Sequence, residues 1–223
     1  MFTYMPDLLK GLSTSLILTG SALVLAFILA TLFTVCLTLK VRGLSLLVKA
    51  YVTLFTGTPL LIQFFLIYYG PGQFKIIQEK FPFIWELLSN PWACAIATLA
   101  LNSAAYTTLL FHGAVKAIPA GQWQSCAALG MSKRSTMAIL LPYAFKRALS
   151  SYSNEVILVF KSTSLVYTIT LMDIMGRAQS IAGNNYDPMV IVNAGIIYLC
   201  INAVLTLIMR LIESRALRFE KRN

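Results

Sequence analysis

Charge is what this sequence has least of. Only 12% of its 223 residues are Asp, Glu, Lys or Arg, about half the share found in a soluble domain. Acid is scarcer than base, with 8 Asp+Glu against 18 Lys+Arg. The shortage is regional: residues 11–39, 50–74, 87–115 and 188–209 carry no charged side chain, and residues 148–172 hold only Glu155 and Lys161. Each stretch reaches the roughly 20 apolar residues that a bilayer span requires. A disordered chain and an ordinary soluble enzyme are excluded. Histidine occurs once, as His112, and the four cysteines (Cys36, Cys94, Cys126, Cys200) form no C-x-x-C pair, so neither a disulfide framework nor a metal site is indicated. Also missing are the phosphate loop G-x-x-x-x-G-K-[ST], the zinc motif H-E-x-x-H, the nucleophile elbow G-x-S-x-G and any internal repeat. No catalytic residue and no cofactor bound by this chain are expected.

What is present is hydrophobic: 58% of the residues, grouped into five stretches that predict an all-α membrane protein with five transmembrane helices. The first apolar run exceeds the 7–15 residues of a signal peptide's core and ends in no clear cleavage site, so it reads as a retained span. The basic residues orient the whole. Lys40, Arg42 and Lys49 follow the first span; Lys116, Lys133, Arg134, Lys146 and Arg147 follow the third; Arg210, Arg215, Arg218, Lys221 and Arg222 follow the fifth. The opposite face gathers only Lys10, Lys75, Lys80 and Arg177. Excess Lys and Arg mark the cytoplasmic side, which predicts a periplasmic N-terminus and a cytoplasmic C-terminus. The formal charge of +10 is then a topology signal rather than a nucleic-acid footprint, and the dispersed basic tail is suited to anionic lipid headgroups.

Within the spans a few polar groups stand out. Gly57-Thr58-Pro59-Leu60-Leu61-Ile62-Gln63 interrupts the second span. Proline removes a backbone donor and disfavours helix at the residue before it, so a kink or break is expected at Thr58, with Pro59 and Gln63 as gate or kink residues. The carbonyls it releases need protein partners or a water-lined path. Tyr68-Tyr69 marks a membrane interface ahead of the turn Gly70-Pro71-Gly72, and the amphipathic connection to Asn90 is expected along the membrane surface. On the third span Asn102 and Tyr106 share a face, as helix glue or as substrate contacts. The fourth span carries Glu155 and Lys161, six residues apart and unable to pair as i, i+4 neighbours. Glu155 aligns with Ser151 and Ser162, and Asn154 adjoins it. An intramembrane carboxylate points to a bundle interior or an aqueous cavity, either as part of a structural charge network or as a substrate contact. Asn193 and Asn202 on the fifth span read as packing contacts.

The longest cytoplasmic segment, residues 116–147, contains Gln122-Trp123-Gln124-Ser125-Cys126-Ala127-Ala128-Leu129-Gly130. It predicts a short helix of small residues with one large aromatic, stopped by Gly130 in the left-handed conformation, with Ser132 capping the next helix. Small residues permit close approach by a partner, and Trp123 would be its knob.

Gln124–Gly130 followed by Ile139-Leu140-Leu141-Pro142 is similar to the EAA loop, Glu-Ala-Ala-x-x-x-Gly … Ile-x-Leu-Pro, of bacterial ATP-binding-cassette importer permeases. Thr56-Gly57-Thr58-Pro59-Leu60 and Asn154-Glu155 … Lys161-Ser162-Thr163-Ser164-Leu165 resemble further segments of the polar amino acid family of these permeases. In the loop, Gln124 stands where the family has Glu, and Ser125-Cys126 where it has Ala-Ala. The resemblance covers nearly the whole chain and implies a single type I importer permease domain over residues 1–223, its transmembrane region at about 11–209. It implies a bacterial inner-membrane complex of this chain, a second, homologous but different permease subunit, two ATP-binding subunits that use ATP and Mg, and a periplasmic amino-acid-binding protein. It implies a basic amino acid, arginine, as cargo, with histidine or glutamine as alternatives. Glu155, Asn154, Asn102 and Tyr106 become candidate substrate contacts, and Trp123, Gln124, Ser125, Cys126, Ala127, Ala128 and Gly130 the ATPase-coupling surface. A passive channel or a membrane scaffold is the alternative outside this class.

Overall fold

The computed structural model describes residues 4–217, and every regular element among them is helical. Arg218, Lys221 and Arg222 of the basic tail lie outside the described residues. A short α1 (Met5–Leu9) leads into α2 (Leu12–Thr38). The second apolar stretch is split into α3 (Leu44–Gly57) and α4 (Leu60–Tyr69). Thr58 and Pro59 between them are extended, with ψ of 141° and 135°, and the axis turns through 108°. The proline rule thus produces a full break. Two short helices, α5 (Lys75–Lys80) and α6 (Pro82–Ser89), follow with Phe74, Ile76, Phe81 and Phe83 exposed.

Asn90 caps α7 (Pro91–Lys116), its side chain accepting from the Trp92 amide at 2.9 Å. Next comes α8 (Ala120–Ala128), ended by Gly130 at φ 67°, the left-handed stop anticipated above. Ser132 caps α9 (Lys133–Ser162), accepting from the Ser135 amide at 3.1 Å. Pro142 sits inside α9 without ending it, so residues 133–147 and the fourth apolar stretch share one helix. A 3-10 stretch, Thr163–Ile169, follows. There the Thr163 hydroxyl donates to the Phe160 carbonyl at 2.8 Å, answering backbone loosened at the helix end. The chain then forms α10 (Ile174–Asn185), bent by 49° from the preceding segment, and α11 (Met189–Ala216). Three helical segments, Met5–Thr38, Pro91–Lys116 and Met189–Ala216, are long and apolar enough to cross a membrane, and up to five if each bent pair is one span.

The bundle is organised around α2 against α7. The buried residues of α2 include Leu18, Ala22, Ala26, Ala30 and Thr34, one every four residues, and those of α7 include the small Ala95, Thr98, Ala104, Ala105 and Thr108. Small side chains on both faces let the backbones approach, which is how helices gain contact where lipid offers no hydrophobic drive. The outward face of α2 is apolar instead, with Ile17, Val24, Ile28 and Leu32 exposed. Near the α8 end, Phe27 of α2, Phe111 of α7, and Phe145 and Tyr152 of α9 close into one aromatic cluster. Phe111 and Phe145 stack at 4.1 Å between ring centres.

Candidate functional site

The break between α3 and α4 leaves carbonyls without helical partners, and Gln63 collects them. Its Nε2 donates to the Phe55 carbonyl at 2.8 Å, the Thr58 carbonyl at 3.1 Å and the Thr58 hydroxyl at 2.8 Å. Its Oε1 accepts from Asn102 Nδ2 of α7 at 3.0 Å, and Asn102 also donates to the Phe55 carbonyl at 3.4 Å. Tyr106 OH donates to the Thr56 carbonyl at 3.3 Å. Pro59 makes the break and Gln63 fastens it. Asn102 and Tyr106 are therefore clasps on an irregular backbone, the helix-glue alternative, while still lining the cavity described next. Gln63→Leu strips the part-buried Thr58 carbonyl of its Gln63 donor and leaves the Phe55 carbonyl only the longer bond from Asn102, and each such loss costs about 1–3 kcal/mol. The expected result is a destabilisation of about 3 kcal/mol in thermal unfolding of the purified complex. Asn102→Leu should be less than additive with it, because the two side chains share one network.

A cavity of ≈ 430 Å³ opens beside the clasp, bounded by the Thr56–Leu60 backbone, Asn102 and Tyr106 of α7, and Glu155 and Ser162 of α9. Its size falls in the range of about 300–1,000 Å³ typical of small-molecule sites. Glu155 is 6% exposed, with the buried Ser103 of α7 beside its carboxyl. Among the described residues no cationic side chain pairs with it. Lys161 is exposed and does not line either cavity that Glu155 lines, as the six-residue spacing foretold. A second cavity of ≈ 560 Å³ lies toward α8, lined by Leu109, Leu110, Ser150, Ser151 and Asn154. Tyr106, Glu155 and Leu158 belong to both. Glu155, Asn102 and Tyr106 are thus brought together. Asn154, exposed, reaches only the second chamber.

On α8 the helical period divides the anticipated coupling surface. Cys126 is buried with Val115, Ile118, Leu140 and Ala144, and Trp123, three residues earlier on the same side, packs half-buried against that cluster. Cys126 faces α7 and α9 of its own chain, and Trp123 packs toward the same cluster while staying partly exposed. Gln124, Ser125, Ala127, Ala128 and Gly130 remain exposed. Leu129 joins them at 78% exposure and was missed in the sequence, although an apolar side chain next to the stopping glycine is a visible signal. Also missed was Asp173. It is fully buried at the start of α10 and accepts from the Gly176 amide at 2.8 Å and from Tyr198 OH at 2.8 Å. The cap spacing Asp-x-x-Gly could have revealed it. The α1–α2 turn passes so close that a Cβ on Gly11 would collide with the Asp173 backbone, which makes Asp173 a structural tie.

A family model described as binding-protein-dependent transport system inner membrane component matches residues 22–218. The chain is 67% identical to "Arginine ABC transporter permease protein ArtM" of Escherichia coli strain K12 over 223 residues, covering 100% of each. It is 55% identical to the protein of the same name from Haemophilus influenzae, covering 98% of this chain and 96% of that one. Among solved structures, a chain of an amino acid ABC transporter crystallised with histidines superposes with a TM-score of 0.83 at 25% identity, covering 96% of both. A chain of the inward-facing MetNI methionine ABC transporter gives 0.79 at 18% identity, covering 98% of this chain and 100% of that one, a likeness of fold.

Proposed function

Since this chain belongs to the family of binding-protein-dependent transport system inner membrane components, as a permease subunit of an amino acid ABC importer, we propose that its cargo is arginine. The buried, unpaired carboxylate of Glu155 at the wall between two chambers carries this reading. Taking a carboxylate out of water is costly unless a cation meets it, and a basic amino acid brings one. The rest of the cavity suits the other end of such a ligand. Residue 60 opens α4, whose N-terminus is the positive end of the helix dipole, and transporters commonly set broken helices around a charged substrate. The names of the relatives at 67% and 55% identity point the same way.

In this reading the chain crosses the bacterial inner membrane five times, counting each bent pair as one crossing, with its N-terminus periplasmic and its C-terminus cytoplasmic. The distribution of Lys and Arg supports that orientation. It works with a second, different permease subunit, two copies of an ATP-binding subunit that use ATP and Mg, and a periplasmic amino-acid-binding protein. The exposed face of α8, Gln124, Ser125, Ala127, Ala128, Leu129 and Gly130, meets the ATP-binding subunit. Because Cys126 and Trp123 bind α8 to α7 and α9, movement at that face passes into the helices around Glu155. Nucleotide then drives alternating access by binding two arrangements of the complex unequally.

The test is uptake of labelled arginine, histidine and glutamine by vesicles holding the full complex. Arginine is expected to exceed the other two by at least about tenfold in initial rate, a difference of about 1.4 kcal/mol. Equal uptake of glutamine would remove the need for a second cation and defeat the assignment.

A further inference from the structure

Away from the translocation cavities, a cavity of ≈ 870 Å³ lies between the α2–α3 connection, the end of α7 and α8. Four cations line it, Lys40, Arg42, Lys49 and Lys116, together with His112 and Trp123, and none of the lining residues is acidic. Among the described residues no carboxylate neutralises any of the four. Lys49 and Lys116 are near enough to act electrostatically on His112, whose Nδ1 is buried with no hydrogen-bond partner among the described residues. The connection that presents Lys40 and Arg42 is held in shape. Lys40 and Gly43 are both left-handed, at φ 52° and 77°, and the Ser45 hydroxyl donates to the Cys36 carbonyl at 3.2 Å. Like charges gathered without a counter-charge repel one another, so convergence of this kind is sustained by an anion that binds among them.

From this convergence we infer that the cavity binds the phosphate of an anionic phospholipid in the cytoplasmic leaflet. The surroundings favour a lipid over a soluble anion or an acidic protein segment. Leu39, Val41, Leu44, Leu46 and Leu47 are all exposed beside the cations, which is the amphipathic character of a headgroup boundary. Trp123 adds an aromatic plane of the sort enriched at that depth. Because Trp123 belongs to α8 and also packs on the Val115–Cys126–Leu140 cluster, an occupied cavity braces α8 in one position. Lipid composition then tunes coupling between the ATPase and the translocation helices. Placement in the cytoplasmic leaflet rests on the orientation proposed above; binding of the lipid does not.

The assembled transporter purified from detergent, titrated with phosphatidylglycerol and read by native mass spectrometry, tests the inference. The triple variant Arg42→Gln, Lys49→Gln, Lys116→Gln is compared with Lys75→Gln, Lys80→Gln, which removes charge on the other side of the topology. Phosphatidylglycerol is expected to bind the triple variant roughly 100-fold more weakly than the wild type and the control, since each cation near a headgroup contributes about a factor of five. Equal retention of lipid by the triple variant overturns the inference. So does full displacement by inorganic phosphate at equal concentration, which would identify a free anion as the ligand. A triple variant that keeps its lipid but sheds the ATP-binding chains overturns it in favour of a protein contact. In vesicles, phosphatidylglycerol added to phosphatidylcholine should raise transport per ATP hydrolysed for the wild type and not for the triple variant; an equal rise in both denies the brace. Labelling a cysteine placed at Ser132 from either side of the membrane reads orientation separately, so failure of the topology leaves the detergent result standing.

Discussion

Glu155→Gln is expected to cut arginine uptake at subsaturating concentration on the order of 100-fold, because removing one member of a buried charge pair costs about 2–5 kcal/mol. The same substitution should raise the thermal midpoint of the substrate-free complex. Gln fills the space of Glu155 but does not carry an unneutralised charge in a site that is 6% exposed. Loss of transport together with a gain in stability separates a binding role from simple misfolding. A structural charge network predicts the opposite pairing, with stability falling and transport following it. The substrate panel refines the result further. If residual glutamine uptake is untouched while arginine uptake collapses, the carboxylate meets the guanidinium. If every amino acid is lost alike, it meets the α-ammonium group that all of them share.

The second large effect is expected on α8. Ala127 is exposed and lines a cavity of ≈ 390 Å³ together with Trp123, Met131 and Met137 of its own chain, so the larger side chain of Ala127→Trp has room beside the buried cluster and should leave the fold intact. It should nonetheless prevent close docking of a partner on the small-residue face. Uptake is expected to fall at least about tenfold while the ATP-binding subunits continue to hydrolyse ATP, since obstructing the centre of a contact costs 2 kcal/mol or more. Gly130→Val acts by another route. At φ 67° a branched side chain is strained by about 1–2 kcal/mol, so the end of α8 must rearrange and Leu129 moves with it. Measuring transport against hydrolysis in reconstituted vesicles checks both. Unaltered coupling in Ala127→Trp would place the ATPase contact elsewhere.

Much of this architecture is written in local chemistry. The break at Thr58-Pro59, the stop at Gly130 and the cap at Ser132 each follow from backbone rules acting within a few residues, and all three are present. Glu155 was conspicuous because a carboxylate in an apolar stretch has few explanations. What could not be read concerns partners distant in sequence. Nothing in the order of residues says that Gln63 turns back on Phe55 and Thr58, or that Asn102 completes the same network from 39 positions away. Asp173 carries little signal of this kind, a single acid in a connecting segment, yet Tyr198 and the approach of Gly11 enclose it. The shared packing of Trp123 and Cys126 is of a different kind. A spacing of three on a helix already puts both on one side.

The unbroken course of α9 has a mechanical consequence. From Leu140, against which α8 is seated, to the Phe111–Phe145 stack is five residues, about 7–8 Å of helix, and from that stack to Glu155 is ten residues, about 15 Å. If the aromatic stack serves as a fulcrum, α9 is a lever with a gain of about two. An ångström of travel imposed at the α8 end then arrives at the Glu155 carboxyl roughly doubled, so a small stroke suffices to shift the wall between the two chambers.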